Sequence, residues 1–410
     1  MQPNSHQKSR RRFAVLGGAA LVQLCVGAIY TWSLFNRPLA ELHGWRPEAV
    51  LWAYAVNILT FALTTMVSGR LQDRFGPRPV ASAGALALGA GVFLTGGAGT
   101  LTEVYLWYGL LAGIGVGLVY PCPLATCIKW FPDHKGLVTG IAVGAFGLGG
   151  LVFKDLVLHL LDTQGVVLTF RYLGGLYLAL VLAGAQLLQL PQGLSRPDRA
   201  GTPAEGLRAV VASGSFARLW TSFFFGTLTG LLLLGMAKDM GASLAGMCLK
   251  EAAHLVGVAS LSNAVGRLSY GFLSDRLDRW RLIGAINLLT ACAVLILALA
   301  PVDGRIFTAA LIVIVSGFGG LLAIYPALTA ETFGVASLGR NYGLIFAAYG
   351  LAAFFGPLVS AWYPLRTVLG ACAAAALFAG AAGFLASGGK AVLRGAAPPE
   401  AAKCRQGSSA

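Results

Sequence analysis

The chain has 410 residues, of which 57% are hydrophobic and only 11% are charged. Soluble globular proteins carry about 25% charged residues, so a chain of this length and composition lacks the polar surface that water requires. Apolar runs of about 20 residues recur along the whole length, which predicts an all-α integral membrane protein. The formal net charge of +14 does not indicate nucleic-acid binding, because the basic residues form short clusters between apolar runs.

Twelve apolar segments are each long enough to cross a hydrocarbon core of about 30 Å as an α-helix. They are residues 13–36, 48–69, 80–98, 102–128, 136–160, 168–190, 217–236, 251–273, 282–300, 305–330, 341–363 and 367–387. The polar stretch between the sixth and seventh segments predicts a cytoplasmic linker between two six-helix bundles. We therefore expect an N-terminal bundle over residues 1–191, the linker over 192–215, a C-terminal bundle over 216–390 and a cytoplasmic tail over 391–410.

Lysine and arginine residues are distributed unequally between the two ends of these segments. If the N-terminus lies inside the cell, the cytoplasmic segments hold about three times as many of them as the outer segments. This bias predicts a multi-pass protein of the cell inner membrane with both termini in the cytoplasm. The first apolar run is too long for a cleaved signal peptide. The 7 cysteines show no regular spacing, so we expect neither a disulfide framework nor a metal site, and no cofactor.

Three features of the N-terminal half recur in the C-terminal half about 200 residues later. The run Gly69–Gly76 matches Gly271–Asp278, the pair Tyr120-Pro121 matches Tyr325-Pro326, and Lys135 matches Arg340. Each pair occupies the same place relative to the predicted spans. The common offset predicts two similar halves related by an axis along the membrane normal, with a binding site between them near mid-membrane.

These runs resemble the major facilitator superfamily. The family pattern G-x-L-x-D-R-x-G-[RK]-[RK] is matched by Gly69, Leu71, Asp73, Arg74, Gly76 and Arg78, while Pro77 and Pro79 depart from its end. Within the superfamily, the runs Lys129–Gly140 and Asn341–Ile345 resemble the oxalate/formate antiporters and monocarboxylate transporters. The resemblance implies the twelve-helix major facilitator fold and a secondary transporter of small carboxylates. We expect it to work as a monomer.

Arg267 is the basic residue that lies deepest in a predicted span, roughly 24 Å from its outer end and 10 Å from its inner end. A guanidinium at that depth costs at least about 2.5 kcal/mol, so it is expected to face a cavity or a partner. Its planar fork suits a carboxylate, which it binds through two parallel hydrogen bonds. The resemblance also aligns Arg267 with the substrate arginine of span eight. A structural ion pair is the alternative, but no other span has an acidic residue at a similar depth.

Further residues are predicted to line the anion site, with ordinary packing or an interhelical hydrogen bond as the alternative for each. They are Asn263, Tyr120, Tyr325, Tyr349, Phe146 and Phe354. Asn263 stands where monocarboxylate transporters commonly have an aspartate that takes part in proton coupling, so the proton route stays open. Tyr349 stands where the resembling oxalate carriers have a lysine. With Arg267 as the single cation, a monoanion such as lactate or pyruvate fits better than a dianion.

Three ionisable residues nearer the outer ends of the spans are candidates for proton coupling. Lys154 and Asp155 lie in the fifth span, and His254 lies at the start of the eighth. Histidine titrates near neutral pH and is therefore suited to the task. A structural Lys154–Asp155 pair and a solvated histidine are the alternatives.

The repeated loops are predicted to act as gates. Asp73 is expected to cap the positive N-terminus of span eleven and Asp275 that of span five, which would tie the halves together on the cytoplasmic side. Arg74 and Arg276 belong to the same two motifs and are included as gating residues. A solvated turn is the alternative.

The sequence therefore predicts a proton-coupled carrier of small monocarboxylates that works by alternating access, with the anion, the proton and the lipid bilayer as its partners. An oxalate/formate type of antiporter is the first alternative. A membrane sensor that binds an anion without moving it is an alternative of another class. We expect no enzymatic activity, because the sequence shows no nucleophile–base set, metal cluster or nucleotide loop.

Overall fold

The computed structural model describes residues 5–191 and 204–395, and every regular element within them is a helix. The helices of the N-terminal half are α1 (Ser5–Gly27), a 3₁₀ segment (Ala28–Leu34), α2 (Asn36–His43), α3 (Pro47–Phe75), α4 (Pro77–Thr95), α5 (Leu101–Val104), a π-helical segment (Tyr105–Ala112), α6 (Gly113–Val119), α7 (Pro121–Trp130) and α8 (Lys135–Leu187). Those that follow are α9 (Ala204–Ala212), α10 (Gly214–Ala245), α11 (Leu249–Ser274), α12 (Arg279–Leu299), α13 (Gly304–Phe333), α14 (Leu338–Trp362) and α15 (Leu365–Gly395).

The described helices account for all twelve predicted spans. Nine of them are long and apolar enough to cross a membrane. One of these, the 53-residue α8, turns at Gly165, whose φ of 73° is rarely adopted by residues with a side chain, and so supplies both the fifth and the sixth span. Helices α11 and α14, with 26 and 25 residues, are also long enough to cross and complete the set. The predicted all-α membrane fold is confirmed.

Two spans are less regular than their hydropathy indicates. The first changes from α-helix to 3₁₀ helix at Ala28, and the fourth contains the π-helical segment 105–112. The side-chain amide of Asn57 on α3 donates a 2.6 Å hydrogen bond to the carbonyl of Tyr108 within that segment. Apolar composition sets the length of a span, whereas such local changes in helical pitch depend on neighbouring side chains.

The predicted linker is partly helical. Residues 192–203 of it lie outside the described residues, as do residues 396–410 of the predicted tail. Its second part forms α9, and α10 begins at Gly214 rather than at 216 because the Ser213 hydroxyl accepts a 3.1 Å hydrogen bond from the Phe216 backbone nitrogen. Helix α15 likewise extends beyond residue 390, to Gly395.

The two halves contact each other through α3 against α14 and through α8 against α11 and α13. Glycines permit this close approach: a Cβ on Gly69 would collide with the backbone of Gly339, and one on Gly271 would lie 2.6 Å from the carbonyl oxygen of Gly136. These four glycines lie at the end of the bundle where α8 and α14 begin. We call it the inner end, and the opposite end the outer end.

Candidate functional site

Arg267 lies on α11 at the interface of the two halves, with 1% of its surface exposed. Its Nη1 donates a 2.5 Å hydrogen bond to the carbonyl of Val143 on α8, so the guanidinium joins one half to the other. The guanidinium carbon lies 5.7 Å from the ring centre of Phe146. Gly147 provides the space, since a Cβ there would approach the guanidinium to 3.3 Å. Phe146 therefore lies beside the arginine, and its contact with the substrate stays a prediction.

The charge of Arg267 has no acidic partner among the described residues. Among the side chains that the structure describes, it is also the only Lys, Arg, Asp or Glu that is fully buried. Its Nε–H is buried and lacks a hydrogen-bond partner there. A buried charge without a counter-ion is costly, so the arrangement favours an anion beside the guanidinium. The structural ion pair, which was the alternative, is not formed within the described residues.

Tyrosines from both halves surround the arginine. Its charge acts on the hydroxyls of Tyr120, Tyr342 and Tyr349, all of them buried. Tyr120 follows α6 in the N-terminal half, whereas the other two lie on α14. The hydroxyl of Tyr349 lies beside that of Tyr30. The structure therefore places two of the predicted tyrosines near Arg267 and adds Tyr342, which lies in the run Asn341–Ile345 but was not predicted to line the site.

Three other predicted site residues are occupied elsewhere. The hydroxyl of Tyr325 donates a 2.9 Å hydrogen bond to Ser222 on α10. The Asn263 amide donates a 3.2 Å hydrogen bond to the Val315 carbonyl on α13, which is the interhelical role that was its alternative. Phe354 is 40% exposed and packs edge-on against Phe355. This geometry does not support a direct substrate contact for Tyr325 or Phe354, because repeat position and aromatic character do not fix where a side chain points.

The candidates for proton coupling lie away from the arginine. Lys154, Asp155 and His254 are all exposed, and the described residues include no ion pair between Lys154 and Asp155. Near His254, the Glu251 carboxylate accepts a 2.9 Å hydrogen bond from the Cys248 backbone nitrogen and so caps the start of α11. The proton route therefore remains a prediction.

At the inner end, two carboxylates reach across to the helices of the opposite half. Asp275 accepts hydrogen bonds of 2.7 Å from the Gly136 nitrogen and 2.8 Å from the Leu137 nitrogen, at the N-terminus of α8. Asp73 accepts a 3.0 Å hydrogen bond from the Arg340 nitrogen, at the N-terminus of α14. These are the helix ends that the sequence analysis assigned to the two aspartates. Each carboxylate meets free N–H groups and the positive end of a helix dipole.

The arginines that follow these aspartates point elsewhere. The guanidinium carbon of Arg74 lies 5.1 Å from the ring centre of Phe75, and that of Arg276 lies 4.1 Å from the ring centre of Phe272. Both residues are exposed, and neither forms an ion pair among the described residues. The gating role predicted for them is therefore not supported by a contact between the halves.

Two other basic residues, a lysine and an arginine, form ion pairs with the aspartates instead. Lys129 Nζ lies 3.8 Å from Asp73, and Arg279 Nη2 lies 2.8 Å from Asp275 while its Nη1 pairs with Glu331. Sequence signals for both existed. Lys129 opens the run that resembles the carboxylate carriers, and Arg279 follows Asp275 by four residues.

A cavity of about 30 Å³, enough for roughly two water molecules, lies within the N-terminal half. Asn57, Tyr108 and Tyr177 are among its lining residues, and Arg267 is not. The inner end is closed and Arg267 is 1% exposed, so the guanidinium is shielded from solvent in this conformation.

Comparison with known proteins supplies the family. The family model "Major Facilitator Superfamily" matches residues 18–357. The uncharacterised MFS-type transporter YhjX of Escherichia coli is 34% identical, over 86% of this chain and 87% of its own length. The oxalate:formate antiporter of Oxalobacter formigenes is 31% identical, over 84% and 83%. Monocarboxylate transporter 13 of Rattus norvegicus is 27% identical, over 89% and 84%.

The fold agrees with this assignment. The crystal structure of the transporter FucP in the outward conformation superimposes with a TM-score of 0.74, covering 91% of this chain and 98% of that one at 14% identity. At that identity the likeness concerns the fold alone. The matched family model and the relatives above 30% identity cover most of the chain. The chain therefore belongs to the major facilitator superfamily of membrane transporters.

Proposed function

We propose that the protein is a secondary transporter of small monocarboxylates, of the size of lactate or pyruvate, and that Arg267 binds the carboxylate. The observation that supports this most strongly is the single buried cation between the halves, which has no acidic partner among the described residues. Its Nε–H is free of protein partners there, and tyrosine hydroxyls lie around it. One guanidinium and neutral donors suit one carboxylate.

Transport follows the alternating-access scheme, with the site fixed and the halves rocking around it. The inner end is assigned to the cytoplasm, and its contacts close the site from that side. The Arg267 bond to the Val143 carbonyl crosses the interface, so an anion that takes over this donor changes the contact between the halves. A ligand shifts such an equilibrium by the difference in its affinity for the two states.

Proton symport is the coupling that we propose, because a proton neutralises the charge of the transported anion. Asp155, Lys154 and His254 are exposed toward the outer ends of their spans, where a proton can reach them from the solution. In this scheme the anion and the proton bind from the same side. The protein lies in the cell inner membrane with both termini in the cytoplasm.

A second candidate function is exchange of oxalate for a monocarboxylate. It is favoured by the oxalate:formate antiporter, 31% identical, among the relatives. Against it stands Tyr349, buried near Arg267 where the resembling oxalate carriers have a lysine. A dianion in a site of low polarity is better balanced by two cations than by one.

Uptake of labelled lactate into proteoliposomes under an inward proton gradient tests the proposal. The wild-type protein should accumulate lactate, and Arg267→Ala should lose most of this uptake, while Arg267→Lys retains a part because it keeps the charge without the fork. Arg305→Ala is the matched control, since it removes one exposed arginine at the start of α13. Equal uptake by wild type and Arg267→Ala would refute the role of the arginine.

Counterflow distinguishes the two candidate functions. Liposomes loaded with unlabelled lactate, formate or oxalate are supplied with the same labelled anion outside. Monocarboxylate transport predicts counterflow of lactate. Saturable oxalate/formate exchange without any lactate signal would establish the second candidate in its place.

A further inference from the structure

We infer that Tyr342 is a second hydrogen-bond donor to the anion at Arg267 and thereby sets how tightly the carboxylate binds. This inference rests on the proposed function, since it names a further binding residue of the same site. Tyr342 lies on α14, one turn into the helix, and is 2% exposed. Arg267 lies on α11, so the two donors come from different helices of the C-terminal half.

The hydroxyl of Tyr342 is buried and forms no hydrogen bond of standard geometry among the described residues, although the Tyr120 hydroxyl is close enough to interact with it. A chain of ring contacts leads from Tyr342 to the guanidinium. The Tyr342 ring centre lies 5.7 Å from that of Phe346, which lies 4.8 Å from that of Tyr120. Tyr120 in turn lies 5.4 Å from Phe146, the ring beside the Arg267 guanidinium. Buried hydroxyls in proteins are nearly always bonded, because an unmade hydrogen bond in a dry environment is costly. The Tyr342 O–H, which can turn from Tyr120 to a stronger acceptor, and the unpaired Nε–H of Arg267 are therefore two donors available to one anion.

A carboxylate supplies the matching acceptors. It has two oxygens, each with lone pairs that accept from a guanidinium or from a phenol. Nη1 of Arg267 is already bonded to the Val143 carbonyl, which leaves other donors of the fork to bind the anion. A phenol adds a neutral donor without adding charge, which suits a monoanion already balanced by one arginine.

The position of Tyr342 also links this donor to the inner end. It follows Arg340 by two residues, and the Arg340 backbone nitrogen is bonded to Asp73. Its ring lines a narrow gap between the halves together with Pro121 and Pro326, the two prolines of the internal repeat. Any separation of α14 from α3 at the inner end therefore moves the Tyr342 hydroxyl, together with Arg267 of the same half, away from Tyr120 of the other half.

The test compares Tyr342→Phe with Tyr177→Phe. Both variants delete one buried hydroxyl that forms no hydrogen bond of standard geometry among the described residues, but Tyr177 lines the cavity inside the N-terminal half and not the site of Arg267. The affinity for lactate is measured from its effect on the melting temperature of the purified protein. Tyr342→Phe should weaken binding about 5- to 10-fold, the usual effect of losing one such hydrogen bond, and Tyr177→Phe by less than about twofold.

Two results would overturn the inference: wild-type affinity in Tyr342→Phe, or an equal loss in both variants. The melting temperature without anion separates binding from folding. Neither variant removes a hydrogen bond of standard geometry, so Tyr342→Phe should lower it no more than Tyr177→Phe does, and a larger drop would also count against the inference. Arg267→Ala keeps the two proposals apart. If Arg267→Ala abolishes binding while Tyr342→Phe binds normally, only the role of Tyr342 fails; if Arg267→Ala binds normally, the proposed function itself fails.

Discussion

The inner end and the centre of the interface are built in different ways. At the inner end, each half contributes an aspartate that bonds to the backbone at the N-terminus of a helix in the other half. At the centre, one arginine comes from α11 alone, and the residues around it differ between the halves. The contacts at the inner end are thus alike in the two halves, whereas the surroundings of Arg267 are not.

This difference has a physical cause. A closure needs only carboxylates, glycines and helix ends, all of which a repeated sequence supplies twice. A site for a small anion of one charge needs one cation, and a second buried cation would be a cost in the empty state. Symmetry therefore identifies the residues that hold the halves together, and departure from symmetry identifies those that we propose to bind the ligand.

The largest effect is expected for Gly69→Ala at the symmetric closure. The added Cβ would collide with the backbone of Gly339, and backbone cannot move aside as a flexible side chain does. The inner end should no longer close, and the transport rate should fall more than about tenfold, the change that 1.4 kcal/mol produces. Gly175→Ala is the control, because nothing lies within 4 Å of the Cβ that it adds. Equal rates for the two variants would show that this glycine contact is not needed.

The two aspartates should differ in a predictable order. Asp275 accepts two short backbone hydrogen bonds of 2.7 and 2.8 Å. Asp73 accepts one of 3.0 Å from Arg340 and a weaker one from Gly339, so Asp275→Asn should open the inner end more often. Distances between spin labels at positions 78 and 281 report this opening, in a background from which the exposed cysteines have been removed. We expect a several-fold larger open population for Asp275→Asn. If more molecules had an open inner end in Asp73→Asn than in Asp275→Asn, the contacts of Asp73 would be the stronger ones, which contradicts this prediction.

The smallest effect is expected for Asp155→Asn near the outer end. If this exposed carboxylate takes part in proton coupling, the substitution should reduce gradient-driven uptake by about two- to threefold. Counterflow at constant pH should be unchanged, because counterflow needs no net proton movement. Uptake and counterflow are compared at the same set of pH values. A parallel loss of both would place Asp155 in anion binding or in folding rather than in coupling.

Much of the fold was available from the sequence. Hydropathy located all twelve spans, and the repeat located the contacts of Asp73 and Asp275 with α14 and α8, because helix ends and acidic loops recur at one offset. The break between spans five and six was also predicted, and it lies at Gly165, but hydropathy did not reveal the 3₁₀ segment of span one or the π-helical segment of span four. Both depend on local backbone geometry, to which a hydropathy average is insensitive.

The site was less accessible to sequence reasoning. Depth in the bilayer singled out Arg267, since charge at mid-membrane is costly wherever it occurs. The repeat was misleading for the tyrosines: Tyr120 lies near the arginine, but its counterpart Tyr325 is bonded to Ser222. Tyr342 was not predicted to line the site, because a tyrosine in an apolar helix is usually a packing residue. Which way each side chain points depends on how the halves meet, and a single sequence does not contain that information.

The most direct measurement is equilibrium binding of lactate to the purified protein and to its Arg267→Ala variant. Losing hydrogen bonds between a charged donor and an anion costs about 1.5–3 kcal/mol, so the variant should bind about 10- to 150-fold more weakly. Arg267→Lys should fall between the two, and Arg305→Ala should bind like the wild type. Unchanged affinity in Arg267→Ala would contradict the account, because the carboxylate would then be held by some other part of the protein.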